Sequence, residues 1–415
     1  MSTSTSENVL GLPPSFTTVG LYSKTSKIQL PISSIEEEFK VSKVRYQMML
    51  RDTPDKVIQE AKPELKTGKK WTPSKAITEA ESNLRFKEIC GATQVGRAGL
   101  GQSRPRWFSK QSTTGAREMV TDEIRHMEEE TRQAISVGFA KQCAWTKWED
   151  AEPKKITWPT FFTIEPLRLS FLLRSTYDLL PSPANLRLWG MTDDDICKDC
   201  GTSRATLAHT LSSCTKSLQK YTWRHNQVLE IIVRVTKEQC EMNTEGLLVG
   251  DTGDISFVEE GKEPRPPRQL KYGVAKLFGD CLDWKILADL EEKMVFPQHI
   301  AVTNLRPDIV IWSDEGKQVH LVELTVPWED HLEEAFERKK TKYETLRADC
   351  ETNGWHCNVV PVEIGCRGYT AKSLSRYLRG IVLKGITHNK TIEELEAAAE
   401  TASSWIWQAS RQHFS

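Results

Sequence analysis

Asp308 and Glu323 are the residues of this chain best suited to chemistry. They lie at the ends of two adjacent strand-like runs, Leu305 to Trp312 and Val319 to Pro327. Two carboxylates on neighbouring strands can share a divalent metal through oxygen ligands. The second run leads into a lysine-rich helix, Glu337-Arg338-Lys339-Lys340-Thr341-Lys342-Tyr343. A bound Mg²⁺ would polarise a phosphate and acidify an attacking water, and a lysine would orient or deprotonate that water. These are the parts of a metal-dependent phosphodiesterase, with Asp308, Glu323 and the main-chain carbonyl of Leu324 as the magnesium ligands.

Alternation along the second run places Glu323 and Thr325 on one face and Val322, Leu324 and Val326 on the other. Nucleases of the PD-(D/E)xK type carry lysine where Thr325 stands, so the cation must come from elsewhere. The helix after Pro327-Trp328 is acidic in its first turns (Glu329, Asp330, Glu333, Glu334) and basic later, as the helix dipole favours. Phe336, Lys340 and Tyr343 fall at i, i+4 and i+7, which predicts Lys340 on the sheet-facing side, with Lys339 and Lys342 as the next candidates. Thr325, Tyr343 and Glu363, the last on the following strand (Val359 to Gly365), are the residues expected to support the ligands. For Glu363, an ordinary strand-edge acid is an equal reading.

A second constellation lies upstream. Cys197, Cys200, His209 and Cys214 offer three thiolates and an imidazole within 18 residues, the closed tetrahedral set that zinc takes in structural sites. With four protein ligands no position is left for water, so this metal would fold its segment and not catalyse. Lys198, Arg204, Lys216, Lys220, Arg224 and His225 lie around it, and Arg224 and His225 are candidates for nucleic-acid contact. So are Arg97, Arg104, Arg106 and Trp107, where cations alternate with aromatics, although a solvated basic linker has the same composition. The nearby Gly96 to Gly101 has glycines in the wrong order for a phosphate loop, and no apolar strand precedes it.

The elements that must position these residues read as an α+β, multidomain chain. Its expected parts are a disordered, mobile leader over 1–34, a helical region over 35–155, a helical linker with the cysteine cluster over 156–240 and a spacer over 241–268. An α/β domain with a mixed sheet follows over 269–385, and a helical tail over 386–415. Helices are predicted over 35–50, from Ser74 as N-cap to Ile89, over 116–145, 158–180, 224–236 and 272–293, and from Ile392 to Trp407. Residues 91 to 116 read as a loop. Length alone, 415 residues, suggests two or three domains.

The 56 basic and 57 acidic side chains nearly cancel, so a nucleic-acid partner would be held by local patches and not by overall charge. There is no apolar run of membrane-spanning length and no signal-peptide pattern in the first 15 residues. The expectation is an intracellular protein. In a reducing compartment its ten cysteines are free thiols or metal ligands.

Taken together, these motifs resemble the C-terminal region of the polyprotein of LINE-type non-LTR retrotransposons that carry a restriction-like endonuclease. The matching residues are Tyr177 to Leu186, the CCHC cluster, Trp223-Arg224-His225-Asn226, Arg306-Pro307-Asp308, Glu323 to Glu329, Arg338 to Tyr343 and Gly365-Cys366-Arg367-Gly368, in the order the family has them. The resemblance extends from about residue 40 to the end. It implies a C-terminal PD-(D/E)xK-like domain that nicks target DNA in the nucleus, using Mg²⁺. It also implies a zinc knuckle that helps hold DNA and element RNA, and a thumb-like linker over 35–155. No Tyr-x-Asp-Asp or Phe-x-Asp-Asp palm motif is present, so polymerisation is not expected of this sequence. A catalytically inactive, domesticated zinc-containing nucleic-acid-binding protein is the alternative, and a cellular resolvase or repair nuclease of the same fold a third reading.

Overall fold

The protein is described by a computed structural model covering residues 12–13, 16–68, 70–96, 99–103, 107–139, 141–244, 277–279, 281–290, 293–381 and 383–411. Arg97, Arg104 and Arg106, residues 1–11, 14 and 15 of the leader and most of the spacer lie outside the described residues. The rest of the leader is not disordered as expected: Thr18–Tyr22 is a helix, Val19, Leu21 and Ile28 are buried, and the Ser23 and Thr25 hydroxyls donate to Glu129. The chain is α+β and divides into two compact units, Met1–Cys143 with Lys155–Thr163, and Ala144–Lys154 with Ile164–Ser415.

In the first unit, apolar residues at helical spacing build three helices, α1 (Ile35–Arg51), α2 (Pro73–Cys90) and α3 (Thr113–Val137). Val41, Val44 and Met48 of α1 meet Ala76, Ile77, Ala80 and Leu84 of α2 and Met119, Val120 and Ile124 of α3 in one core. The N-cap of α2 is Thr72 and not Ser74, because Pro73 takes the first helical position, where its missing N–H costs nothing. Helix α3 stops at Val137 and not at 145. Its late apolar residues turn to solvent, with Ile135 46% and Phe139 42% exposed, and Gly138 closes the last turn. The stretch expected to be a loop contains an antiparallel hairpin, β1 (Ala92–Gly96) paired with β2 (Gly99–Ser103).

The second unit begins its helices with α4 (Pro166–Thr176). The single helix expected over 158–180 is broken ahead of Pro166, which starts α4 at its first turn. A long helix, α5 (Leu218–Thr244), follows the cysteine cluster. The sheet is four-stranded, in the order β3 (Lys285–Ala288), β4 (Ile309–Ser313), β5 (Gln318–Thr325), β6 (His356–Glu363). The first three strands are antiparallel, and β6 runs parallel to β5, so the sheet is mixed. Where a helix was expected over 272–293, the described residues instead form a turn at 277–279 and edge strand β3. Trp284 before it is buried against Phe278 and stacks on His320, and this fixes the extended backbone.

Both faces of the sheet are covered. Ile309, Ile311, Val322, Leu324 and Val362 pack on Val228, Leu229 and Ile232 of α5 and on helices α8 (Lys372–Gly380) and α9 (Gly385–Arg411). Val310, Val319, Leu321 and Cys357 face the other way, onto Tyr343, Leu346 and Cys350 at helices α6 (Leu332–Lys342) and α7 (Glu344–Thr352). The α5 helix leading from the cysteine cluster therefore shares its core with the sheet. Of the two tryptophans of α9, Trp407 is buried, whereas Trp405 is half exposed and pairs with Trp223 at 5.2 Å between ring centroids.

Candidate functional site

The antiparallel register Ile309↔Val322, carried one residue further, sets Asp308 opposite Glu323 at one end of the sheet. The main-chain N–H of Asp308 donates to Glu323 Oε2 (3.2 Å), and the N–H of Leu324 donates to Asp308 Oδ2 (2.7 Å). Each carboxylate is thus fixed by the other's strand. Glu323 is almost fully buried and also accepts from Lys339 Nζ (2.5 Å), Lys342 Nζ (3.2 Å) and Tyr343 OH (2.8 Å). The Tyr343 hydroxyl in turn donates to the Arg306 carbonyl (3.0 Å), which ties the Arg306-Pro307-Asp308 turn to α6. Burial and the charge of Glu323 raise the Tyr343 phenol, keeping it protonated as a donor.

The lysine that reaches the acids is Lys339, with Lys342 beside it, and not Lys340, which is exposed. The inward face of α6 runs through Leu332, Ala335 and Lys339, because small Ala335 and not Phe336 is the buried residue of the middle turn. Reading the face from the larger aromatic turned the helix by about one residue, roughly 100°.

Thr325 and Glu363 are register partners on β5 and β6, on the same sheet face as Glu323. Thr325 Oγ1 and Glu363 Oε1 are buried without a hydrogen-bond partner, and Glu363 Oε2 accepts from the hydroxyl of Ser373. Burial pushes the Glu363 carboxyl up to about 7. A third acid, Asp289, sits across from Asp308, and its main-chain N–H donates to the Asp308 carbonyl (2.9 Å). It was missed because its segment was read as helix. Its carboxylate accepts from Met294 N (2.8 Å) and lies 3.6 Å from Arg306.

Arg224 and His225 do not form the outward contact surface predicted for them. Arg224 is 1% exposed and donates to the carbonyls of Leu211 (2.8 Å) and Val326 (3.2 Å) and to Ser403 Oγ (2.9 Å). It therefore ties the cysteine segment, the end of β5 and α9 together. His225 Nε2 lies 3.3 Å from Asp308 Oδ2. Burial lowers the imidazole, but the hydrogen bond and charge of Asp308 outweigh it, so the ring is held above its ordinary value. The signal for His225 was its place three and four residues before buried Val228 and Leu229, on the inner face of α5. In the first unit, Trp107 is half exposed, with Lys110 Nζ 4.6 Å from its ring centroid.

The other resembling motifs are scaffolding. Arg367 is buried between the rings of Trp148 and Trp328, 4.1 and 3.6 Å from their centroids, and its Nε donates to Glu329 (2.6 Å). Gly365 has no room for a side chain, since a Cβ there would overlap Glu329 Cγ, and Gly368 has φ +80°. In the Tyr177 to Leu186 stretch, the Asn185 amide donates to the carbonyls of Asp178 (3.0 Å) and Leu180 (2.9 Å) and fixes that turn.

Cys197, Cys200, His209 and Cys214 bring their ligand atoms within 4.8 Å of one another. The Cys197 and Cys214 sulfurs are 3.9 Å apart, and Cys200 Sγ is 3.5 Å from His209 Nε2. Tetrahedral zinc with bonds of about 2.3 Å to sulfur and 2.0 Å to nitrogen sets these separations at about 3.8 and 3.5 Å. The set therefore fits a metal such as zinc. Main-chain N–H bonds at Thr202 lower the Cys200 thiol to about 6. Tyr221 OH donates to the carbonyls of His209 and Thr210 at 3.2 and 2.9 Å, holding the segment to α5. Of the flanking cations, Arg204 is committed to Asp195 at 2.5 Å. Neither a family model nor a curated protein matches the chain. Among the described residues, no helix is long and apolar enough to cross a membrane.

Proposed function

We propose that this protein is a metal-dependent DNA endonuclease of the restriction-like kind carried by LINE-type retroelements, nicking DNA in the nucleus. One observation carries the reading: Asp308 and Glu323 stand side by side on adjacent strands, with Lys339 and Lys342 on Glu323. A magnesium-class cation would be held by Asp308, Glu323 and the Leu324 carbonyl, and when bound it supplies polarisation of the scissile phosphate. Lys339 and Lys342 balance the buried Glu323 charge in the free chain. With the cation bound, they would be placed to face the phosphate oxygens or the attacking water. The CCHC cluster, filled with zinc, is structural and helps present DNA and element RNA.

A second reading rests on Glu323 itself. Its two oxygens already take four donors, so the group also suits a buried ion-pair network in a zinc-containing nucleic-acid-binding protein without turnover. Nicking of supercoiled plasmid in Mg²⁺ separates the two. The nuclease reading expects relaxation by the wild type that is lost in Asp308→Ala; equal activity, or none in either protein, supports the second.

A further inference from the structure

We propose that His225 is a ligand of the cation held by Asp308 and Glu323, which makes the centre a mixed nitrogen–oxygen site for an ion of the manganese class. This rests on the nuclease reading of that centre and deepens it. Nδ1 lies 3.1 Å from Asn226 Oδ1 and Nε2 lies 3.3 Å from Asp308 Oδ2, so both nitrogens face acceptors. A cation shared with Asp308 would take the place of the Nε2 proton, while Nδ1–H stays on Asn226. Neighbouring ligands on an octahedral cation with bonds of about 2.1 Å stand about 3.0 Å apart, so one ion bridges both atoms with little movement. A hydrogen bond from the far nitrogen is also the usual way a protein fixes which nitrogen of a ligating histidine is free.

The position of His225 is built and not incidental. Its neighbour Arg224 is anchored by three hydrogen bonds, to Leu211, Val326 and Ser403, and Val228 and Leu229 one turn on are in the core. The imidazole is therefore delivered to the carboxylates by the same turn of α5 that holds the cysteine segment. Imidazole nitrogen suits first-row transition ions better than magnesium, which prefers oxygen ligands alone; manganese is the member of that series that also keeps an affinity for carboxylates. Asp308 and Glu323 without His225 would favour magnesium.

The test uses the full chain with its CCHC cluster filled with zinc, and Mn²⁺ as the probe. Pulsed electron paramagnetic resonance of bound Mn²⁺ is expected to show nitrogen coupling in the wild type, and ¹⁵N-histidine labelling is expected to alter it. His225→Gln is expected to remove the coupling and weaken Mn²⁺ binding about tenfold while changing Mg²⁺ binding less than about threefold. The labelled wild type reports without any substitution, so a poorly folded variant does not leave the question open. Mn²⁺ that depends on Asp308 but shows no nitrogen coupling, or coupling that persists in His225→Gln, overturns the role of His225 and leaves the nuclease reading standing. Mn²⁺ binding unaffected by Asp308→Ala overturns both.

Discussion

Glu363 lies at the end of β6 with one carboxylate oxygen on Ser373 and the other without a partner. Burial holds this carboxyl up at about 7, against about 4.3 in an unfolded chain. The folded protein therefore keeps a proton that the unfolded chain releases between about pH 4.3 and 7. Stability should fall as pH rises through that window, by up to about 1.4 kcal/mol per pH unit from this group. Glu363→Gln keeps the shape and removes the charge. Urea midpoints measured at pH 5 and 7 are expected to differ less in this variant than in the wild type, and an identical pH dependence would show that Glu363 is ionised throughout. Tyr343→Phe keeps the buried ring but takes a donor from both Glu323 and the Arg306 carbonyl. A loss of about 1–3 kcal/mol in chemical denaturation is expected, and an unchanged midpoint would mean these acceptors find other donors. At this scale the sequence was legible for types and not for directions. Asp308 and Glu323 follow from strand alternation, but the choice between Lys339 and Lys340 depended on which middle-turn residue of α6 is buried, and Ala335 carries too weak an apolar signal to announce it.

At the scale of elements, the turn after β5 is held by Arg367, whose Nε bonds Glu329 while Trp148 and Trp328 cover its faces. Removing the cation leaves Glu329 fully buried and unpaired, so Arg367→Ala is expected to cost about 3–5 kcal/mol in the second unit, read by denaturant unfolding. A loss below about 1 kcal/mol would mean that water reaches Glu329 in the variant. Strands β4 and β5 were legible because both have apolar residues on two faces and share the polar turn Asp314-Glu315-Gly316-Lys317 between them. Strand β3 was not: four residues with intermediate or exposed side chains carry no pattern of their own, and their conformation comes from pairing with β4 and from Trp284. The hairpin of β1 and β2 was hidden for a similar reason, since four of its ten residues are glycine or serine. The break before α4 is legible in Pro166, which takes the first turn of the helix, although the apolar pattern runs on across it.

At the scale of the whole molecule, the cysteine segment and the carboxylate centre meet on consecutive residues of α5, with Arg224 on the Leu211 carbonyl and His225 on Asp308. Stripping the metal from the CCHC cluster is expected to release residues 197–214 and to weaken the bonds of Tyr221 and Arg224. Hydrogen exchange should then rise in that segment and at the start of α5, while α1 to α3 stay protected. Unchanged exchange after complete metal removal would show that the cluster folds without it. The spacing of the four ligands was fully legible in the sequence; the link from them to Asp308 was not, because it is made by a buried arginine and a histidine that composition marks as surface cations. The centre at the end of β4 and β5 is tested most directly by the rate of supercoiled-plasmid nicking in Mg²⁺ by the wild type, Asp308→Ala, Lys339→Ala and Lys340→Ala, each carrying its zinc. Asp308→Ala and Lys339→Ala are expected to fall about 100-fold or more while Lys340→Ala stays within about twofold. Wild-type rates in Asp308→Ala, or equal losses in the two lysine variants, would mean that this centre does not cut DNA.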